Sequence, residues 1–221
     1  MGVNLLDELS IEQWKSLCPS LAVLDVPNKA VVYRQGDGCE HVFWIVSGHV
    51  KLSRLTEDGD ELTTGFLSKG ELFGCLPPGK VGDEAEVTAA AKGATQLYRV
   101  SQGDFKNLLS SRPELVWHII EIMSARQRAA ERKLQSILFD DVQHRLVKTL
   151  YELSERFGGP CTHGYTIELY FTHQEIADMV GASRPVVSTL LSNFKEQKLL
   201  DYSKDAVCFM QEEIFSRYLP A

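Results

Sequence analysis

The 221-residue sequence contains no apolar run that approaches the roughly 18 residues of a membrane-spanning helix. Its first residues lack a basic segment ahead of an apolar stretch, so no secretory signal is predicted. Cysteines are few: five, far apart, with no CxxC pair. A disulfide framework and a zinc knuckle are therefore not expected. Reduced thiols are typical of the cytoplasm, which is the predicted location, and no membrane partner is expected.

Positive charge is also scarce. The 23 Lys and Arg residues against 30 Asp and Glu residues give a net charge of −7 at pH 7. Proteins that bind nucleic acid usually carry a basic surface, so the net charge by itself argues against DNA as a partner. The sequence also lacks a nucleophile–base set, a phosphate-binding loop and a metal-binding motif, so neither an enzyme nor a metal site is predicted.

The first hundred residues have the pattern of β-structure. Short runs rich in β-branched and aromatic residues predict strands over residues 21–26, 30–33, 41–46 and 49–55. Turn signals such as Ser47-Gly48 and Asp58-Gly59 separate such runs. Strands at about ten-residue spacing indicate a sandwich or barrel, of which the jelly roll is one form. Ahead of them, Ser10 and Gln13 form the capping box of a short helix.

From Ser101, a predicted N-cap, the pattern becomes helical, and Pro113 begins a helix without Gly or Pro as far as Phe139. Spacings of four and three define a seam over about three heptads, made of Val116, Ile120, Met123, Gln127, Ala130, Leu134 and Ile137. The stripe either covers the core of its own domain or pairs with a second copy. Its length, its basic flanks and the small Ala130 favour a twofold dimer.

The most informative stretch is residues 171–191. Thr172 and Glu175 form a capping box, and Gly181 supplies a left-handed residue that ends the first helix. Ser183 then caps a second helix that has Pro185 in its first turn. Two short helices joined by a glycine turn predict a helix-turn-helix.

Further elements are predicted on both sides of this motif. Before it, a helix from about residue 142 to 157 ends at Gly158-Gly159-Pro160, and a polar loop follows. After it, residues 199–203 and 206–210 are predicted to form a two-stranded wing.

The second helix of such a motif enters the major groove with its N-terminal residues at base edges. Arg184 lies there, and a guanidinium can donate two hydrogen bonds to guanine O6 and N7. Thr172, Gln174 and Ser183 are expected to hold phosphates. The full predicted DNA-binding set is Thr172, His173, Gln174, Ser183, Arg184, Pro185, Ser188, Thr189, Lys195 and Lys198. The alternative is a capped helix pair that serves packing alone.

In this order, the parts resemble the CRP/FNR superfamily of transcription regulators. The strongest matches are residues 171–200 and Gly70-Glu71-Leu72-Phe73-Gly74, with residues 47–52 and 139–142 in support. The resemblance implies an α+β fold with a β-roll of the cyclic-nucleotide-binding type (residues 1–112), a dimerisation helix (113–139) and a winged helix-turn-helix (140–221). It further implies a homodimer that binds a pseudo-palindromic operator in double-stranded DNA, with RNA polymerase as a further partner. A signal at the β-roll would act through a hinge near residues 139–142.

The sequence departs from the members that bind cyclic AMP. Where those members have an Arg-Ser phosphate clamp, this chain has Asp83, Glu84 and Glu86, which would repel a phosphate. The adenine-contacting Thr-Ser pair aligns with Ala130-Glu131. An effector other than cyclic AMP is therefore expected, and Glu71 is expected to serve the turn of the roll. The predicted effector pocket comprises Glu71, Leu72, Phe73, Cys75, Glu84, Glu86 and Ala130.

The sequence leaves the effector and any cofactor open. Cys18, Cys39 and Cys75 are too dispersed for the iron–sulfur cluster of some members, and Cys75 has no His beside it in the sequence for haem. The predicted function is a DNA-binding regulator that senses an effector or redox signal through its β-roll. The alternatives are a ligand-independent dimer with constitutive DNA affinity and a haem or thiol redox sensor that uses Cys75. Because Pro185 and Thr189 replace other base-reading residues of the family, the half-site should share a guanine with family sites and differ beside it.

Overall fold

The computed structural model describes residues 6, 9–76, 83–161, 164–202 and 207–209. The chain forms two compact units, Met1–Arg128 and Ala129–Ala221, which we call the β-roll unit and the helix-turn-helix unit. The division falls within one long helix, whereas the sequence predicted that helix as a separate segment between two domains. Within these described ranges, no helix combines the length and the apolar character of a membrane span.

The β-roll unit is an antiparallel sheet flanked by helices. The elements are α1 (Ile11–Leu17), β1 (Ala22–Val26), β2 (Val31–Tyr33), β3 (His41–Leu55), β4 (Glu61–Ser68), β5 (Leu72–Gly74), β6 (Thr88–Ser101) and α2 (Gln102–Ser111). The two longest strands, β3 and β6, pair with each other at the centre of the order β1-β6-β3-β4, while β2 pairs with β6 and β5 with β3. The predicted fold class is confirmed.

One predicted turn is wrong. Ser47-Gly48 does not reverse the chain but forms a bulge, so that β3 is a single strand paired with β6 on both sides of it. Gly48 has φ of +82°, and a Cβ there would clash with the Ala94 carbonyl oxygen. A left-handed glycine in a strand accommodates an extra residue without ending the pairing. The predicted Asp58-Gly59 turn, in contrast, does connect β3 and β4.

Strand alternation builds two hydrophobic clusters on opposite faces of the sheet. From β3, Val42 and Trp44 belong to the cluster that also contains Trp14 and Phe105 of the flanking helices. The intervening Phe43 and Ile45 belong to the other cluster. Leu72 and Phe73 of β5 divide in the same way. The helices therefore cover one face of the roll, and the other face encloses a second apolar interior.

The long helix α3 runs from Pro113 to Phe139, as predicted. Along the predicted seam, Ile120 is 46% exposed and Leu134 is 58% exposed, and Val116 and Ile137 are exposed as well. Gln127 and Ala130 are also exposed, and Met123 is half-buried. The stripe therefore does not lie in the core of either unit of the single chain, which counts against the packing-only interpretation.

The helix-turn-helix unit adds a second sheet, of strand order β7-β8-β10-β9. The prediction of a polar loop after α4 is wrong, because Gly158–Cys161 pairs with Gly164–Ile167 as a hairpin. Its first strand lies at the sheet edge, where glycine and proline are tolerated. The predicted wing strands are present in part, and residues 203–206 and 210 lie outside the described ones. The elements are α4 (Val142–Phe157), β7 (Gly158–Cys161), β8 (Gly164–Ile167), α5 (His173–Val180), α6 (Arg184–Glu196), β9 (Leu200–Tyr202) and β10 (Val207–Phe209).

Candidate nucleic-acid interface and β-roll cavity

The first helix of the motif, α5, begins with the predicted capping box. Thr172 Oγ1 accepts from Glu175 N at 3.1 Å, and Glu175 Oε2 accepts from Thr172 N at 2.8 Å. Glu175 is only 8% exposed, so its carboxylate is committed to this end of the helix. At the other end, Gly181 adopts φ +70° and ψ +48°, the left-handed conformation that the sequence predicted. Both ends of α5 are therefore fixed by local hydrogen bonds.

Arg145 of α4 holds the turn between the two helices, a role that the sequence reasoning missed. Its guanidinium donates to the carbonyl oxygens of Val180 at 2.8 Å, Gly181 at 3.2 Å and Asp140 at 2.8 Å. These are carbonyls at helix ends, which have no intrahelical partner. No local pattern around Arg145 marks this contact, because two of its acceptors lie more than thirty residues away.

Arg184 is the first residue of α6 and is exposed. Among the residues that the structure describes, its guanidinium has no hydrogen-bond or ion-pair partner. Ser183 occupies the N-cap with extended backbone, as predicted, but its side chain makes no capping hydrogen bond. Buried Val187, Leu191 and Phe194 anchor the helix from behind. The N-terminus of α6 thus presents a guanidinium and a hydroxyl that have no partner among the described residues, together with the backbone amides of its first turn.

Other predicted DNA-contacting side chains are partly engaged within the motif. His173 Nδ1 and Ser188 Oγ lie 3.0 Å apart, which joins α5 to α6 and leaves Ser188, a predicted DNA contact, half-buried. Thr189 Oγ1 donates to the Pro185 carbonyl at 3.0 Å. Gln174 Nε2 donates to Asp178 at 2.7 Å. Of these, the exposed Thr189 and Gln174 use only part of their hydrogen-bonding capacity.

The two predicted lysines differ from each other. Lys195 Nζ lies 2.8 Å from Asp201 Oδ1 of β9, so part of its charge is neutralised within the unit. Asp201 lies outside the two helices of the motif, so no spacing within them indicates this pairing. Lys198 follows α6 in a left-handed conformation and is exposed. Among the predicted DNA contacts, Arg184 and Lys198 therefore present the positive charge that is not neutralised within the described residues.

The β-roll unit contains a cavity of about 560 Å³, which we call the β-roll cavity. Its apolar lining includes Leu24, Val32, Tyr33 and Phe43. Among the described residues, its polar lining carries five carboxylates, from Asp37, Glu40, Asp83, Glu84 and Glu86. The segment 83–87 reaches the cavity by pairing with residues 36–39, through the Gly38–Glu84 bridge and the flanking backbone hydrogen bonds.

The charge around the β-roll cavity is mainly negative. Its described cationic and titratable basic groups are Arg99 and His41. Burial, and next the nearby Arg99 guanidinium, hold the pKa of His41 below its usual value, although Glu40 acts in the opposite direction. His41 is therefore neutral near pH 7 and leaves Arg99 to face the carboxylates. This balance disfavours an anionic occupant.

The β-roll cavity contains only part of the predicted effector pocket. Cys75, Glu84 and Glu86 line it, whereas Glu71, Leu72, Phe73 and Ala130 do not. Leu72 and Phe73 are buried in the two hydrophobic clusters because they alternate along β5. Ala130 is an exposed residue of the other unit.

Glu71 supports the turn between β4 and β5, as the sequence reasoning expected for it. Its Oε2 accepts from Ser68 N at 2.8 Å and from Ser68 Oγ at 3.1 Å. Its Oε1 lies 3.4 Å from Arg126, which also donates to the Leu72 carbonyl at 2.7 Å. These bonds direct the carboxylate to the turn and to α3.

Two cysteines meet at the β-roll cavity. Cys39 and Cys75 both line it. Burial first, and then the contacts with Cys75, raise the pKa of Cys39 to about 12. Tyr33 lies beside both thiols; burial, with further contributions from Cys39 and Cys75, raises its pKa to about 12. Because Cys39 and Cys75 are far apart along the chain, no local sequence motif indicates that they meet.

Comparisons with known proteins cover both units. The model of the cyclic nucleotide-binding domain matches residues 23–112, and that of the Crp-like helix-turn-helix domain matches residues 144–213. The global nitrogen regulator of Nostoc sp. is 31% identical over 192 residues, which are 86% of this chain and 85% of that protein. The cAMP-activated global transcriptional regulator CRP of Salmonella typhimurium is 28% identical over 174 residues, 79% of this chain and 82% of that protein.

The fold comparison agrees. A mutant of CooA from Carboxydothermus hydrogenoformans superposes with a TM-score of 0.80 at 22% identity and covers 99% of this chain and 97% of its own. The matched domains and relatives are transcription regulators rather than enzymes. With the capped helix pair, the β-roll and the long helix between the two matched regions, these similarities establish that the chain belongs to the CRP/FNR family of transcription regulators.

Proposed function

We propose that the chain is a homodimeric regulator that recognises a pseudo-palindromic operator with α6. In this proposal it responds, through the β-roll cavity, to an effector or redox signal other than cyclic AMP. It acts in the cytoplasm, with RNA polymerase as a partner, as expected of a family whose members are global transcriptional regulators. The observation that carries the proposal is the exposed Arg184, which has no partner in the described structure and stands at the start of a helix fixed from behind.

The chemistry of Arg184 favours base recognition. A guanidinium presents a planar fork of donors that matches guanine O6 and N7, and each such pair discriminates against a wrong base by about 1–3 kcal/mol. The free Ser183 hydroxyl and the amides of the first turn suit a neighbouring phosphate. Lys198 adds positive charge at the other end of the helix. A few well-placed groups can therefore give specificity to a protein of net charge −7.

The exposed stripe on α3 supports the dimer. Ile120 and Leu134 are 46% and 58% exposed in the single chain, and both belong to the predicted a/d seam. Pairing two copies about a twofold axis would bury the same stripe on each. Gln127 at a seam position would fix the register of the pair. Two copies of α6 would then read the two halves of a palindrome.

The lining of the β-roll cavity supports an effector other than cyclic AMP. The Salmonella relative is a cAMP-activated regulator, so cyclic AMP is a candidate effector for this chain. Five carboxylates in the described lining would repel a cyclic phosphate, and among the described lining residues only Arg99 opposes them when His41 is neutral. Glu71 is held by Ser68 and Arg126, so its carboxylate is not directed to the cavity. An effector of neutral or positive charge fits this lining better.

The experiment that tests the proposal measures the affinity of the purified dimer for a duplex selected from a random pool. The protein is isolated without air, and the measurement is repeated with cyclic AMP, with reductant, and with a small-molecule extract of cells. We expect cyclic AMP to leave the affinity unchanged, and the extract or the redox state to alter it. An affinity that cyclic AMP increases would overturn the choice of effector. An affinity that no addition changes would establish the constitutive dimer instead.

A further inference from the structure

We propose that Cys39 and Cys75 are a modification site: a hydroperoxide converts them to a reversible disulfide within the β-roll cavity. Disulfide formation stands on the geometry of the β-roll unit alone. Its regulatory consequence, a change in operator affinity, rests on the proposed function. The sequence alone indicated Cys75 as a single redox thiol. The structure adds Cys39, whose sulfur allows a reversible disulfide.

Backbone pairing brings the two residues together from separate parts of the chain. Cys75 follows β5 and donates its backbone N–H to the His41 carbonyl at 2.8 Å, which places it at the start of β3. Cys39 precedes β3 and donates its backbone N–H to the Asp83 carbonyl at 2.7 Å. Both side chains line the β-roll cavity, where Cys75 lies close enough to Cys39 to raise the pKa of the Cys39 thiol. The contact is therefore held by hydrogen bonds on both backbones.

The surroundings assign different roles to the two sulfurs. Gln102 Nε2 donates to Cys75 Sγ at 3.4 Å, and a donor stabilises the thiolate form of the sulfur that it contacts. Burial first, and then Cys75, raise the pKa of Cys39 to about 12, so Cys39 keeps its proton near pH 7 and is the resolving thiol. The sulfur that accepts the Gln102 hydrogen bond, that of Cys75, is the nucleophile.

The reaction has two steps. The Cys75 thiolate attacks the hydroperoxide, so that an S–O bond forms, the O–O bond breaks and an alcohol, or water from hydrogen peroxide, leaves with a proton. The product is the Cys75 sulfenic acid. Cys39 Sγ then attacks that sulfur: the S–S bond forms, the S–O bond breaks, and water leaves with the Cys39 proton. The two thiols supply the two electrons that reduce the peroxide, and an external dithiol reverses the change.

The remaining described thiols provide an internal contrast. Cys18 is fully buried, and burial, with a smaller contribution from Asp104, raises its pKa to about 11. Its Sγ donates to the Asp104 carbonyl at 3.9 Å. Cys208 lies on β10 of the other unit and is half-buried. Under the proposal, a hydroperoxide oxidises Cys39 and Cys75 in preference to Cys18 and Cys208.

The test treats the full chain, reduced and free of air, with a small excess of hydrogen peroxide, blocks the remaining thiols with iodoacetamide and analyses the unreduced peptides by mass. We expect one cross-link between the peptides of Cys39 and Cys75, which dithiothreitol removes. In Cys39→Ser, dimedone should trap a sulfenic acid on Cys75. The control Cys208→Ser should form the same cross-link as the wild type.

Each of the other possible results would contradict one specific part of the proposal. Unreacted Cys39 and Cys75 thiols, or a cross-link of Cys75 to a different cysteine, would overturn the disulfide. Dimedone on Cys39 in Cys75→Ala, with none on Cys75 in Cys39→Ser, would reverse the assigned roles. A cross-link that forms without changing the affinity for a selected operator would refute the regulatory consequence. Sequence-specific binding by a protein that forms no cross-link would overturn this inference and leave the proposed function standing.

Discussion

In the helix-turn-helix unit, the side chains that we propose contact the ligand project from the surface, whereas in the β-roll unit they line a cavity. Arg184 and Ser183 are exposed and free of partners in the described structure. Cys39 and Cys75 line a cavity beside a tyrosine whose pKa is raised. The first arrangement suits a large, polyanionic partner with its own groove, and the second suits a small molecule that loses its water on entry.

The two units also differ in how the site is held. The caps of α5 and the Arg145 guanidinium fix the backbone ahead of α6, and Arg184 and Ser183 make no stabilising side-chain contact within the described structure. Around the β-roll cavity, the lining residues belong to the sheet and to the segment paired with it. Substitutions should therefore separate recognition from stability in the helix-turn-helix unit and couple them in the β-roll unit.

The largest effect is expected from substitutions in the α3 seam, because recognition of both half-sites requires a dimer with two copies of α6. Ile120→Glu or Leu134→Glu should give monomers in sedimentation, as should charged residues at Val116 and Met123. Each buried seam residue contributes about 1.5–3 kcal/mol, and symmetry counts it twice, so dimer affinity should fall by about 3–6 kcal/mol. Gln135→Glu, at an outward position of the same helix, should remain dimeric. Dimeric Ile120→Glu and Leu134→Glu proteins would show that the seam is wrong.

The next effect is the loss of operator recognition in Arg184→Ala. With one guanine contact in each half-site, specific binding should weaken by about 2–6 kcal/mol, while the dimer persists. Lys198→Ala should instead weaken binding to all sequences by a similar factor and reduce its salt dependence, as expected of a phosphate contact. Titration of selected and scrambled duplexes at several salt concentrations distinguishes the two. An unchanged operator affinity in Arg184→Ala would refute the placement of the reading helix.

A third variant tests whether stability and DNA recognition depend on different residues of the helix-turn-helix unit. Arg145→Ala leaves three backbone carbonyls without their charged donor and should lower the free energy of unfolding by about 1–3 kcal/mol. Arg145→Lys should recover only part of this, because an ammonium cannot reproduce the guanidinium fork. Arg184→Ala is the matched control and should unfold like the wild type in denaturant titrations. Equal stability of Arg145→Ala and wild type would show that the turn does not depend on this contact.

The smallest effect concerns pH. A hydrogen bond from Lys148 at 2.7 Å, and next one from Ser136, hold the pKa of Asp140 below its ordinary value. A lowered folded-state pKa stabilises the fold above the unfolded value of about 3.9, and the stabilisation is lost as pH falls through the folded value. Asp140→Asn should thus be less stable than wild type at pH 7 by up to about 1 kcal/mol, and the two should converge in acid. A stability difference that is constant with pH would contradict this.

The sequence allowed the helix-turn-helix to be predicted well because its determinants are local. The caps at Ser10, Ser101 and Thr172 and the left-handed Gly181 each depend on residues within a few positions, and all four are present. Pro113 marks the start of α3, and the helix ends at Phe139, just before Asp141 caps the next helix. Ser188 and Lys195 differed from expectation, because their partners, His173 and Asp201, lie on other elements.

The β-roll cavity could not be predicted in the same way because strand register assembles it. The alternation along β5 that buries Leu72 and Phe73, and the pairing that places Cys39 beside Cys75, depend on contacts between β3, β5 and the segment 83–87. A one-residue change of register would exchange the faces of each strand, and no local motif specifies it. The same reason explains why the Ser47 bulge was predicted as a turn and the β7–β8 hairpin as a loop.

Footprinting of the wild-type dimer on a duplex selected from a random pool tests the central claim most directly, namely that Arg184 on a fixed helix reads DNA sequence for an acidic protein. We predict protection of a pseudo-palindrome whose half-site centres lie about one helical turn, or a multiple of it, apart, with a guanine at the same position in each half. Equal protection of unrelated duplexes, or no protection at all, would contradict the account.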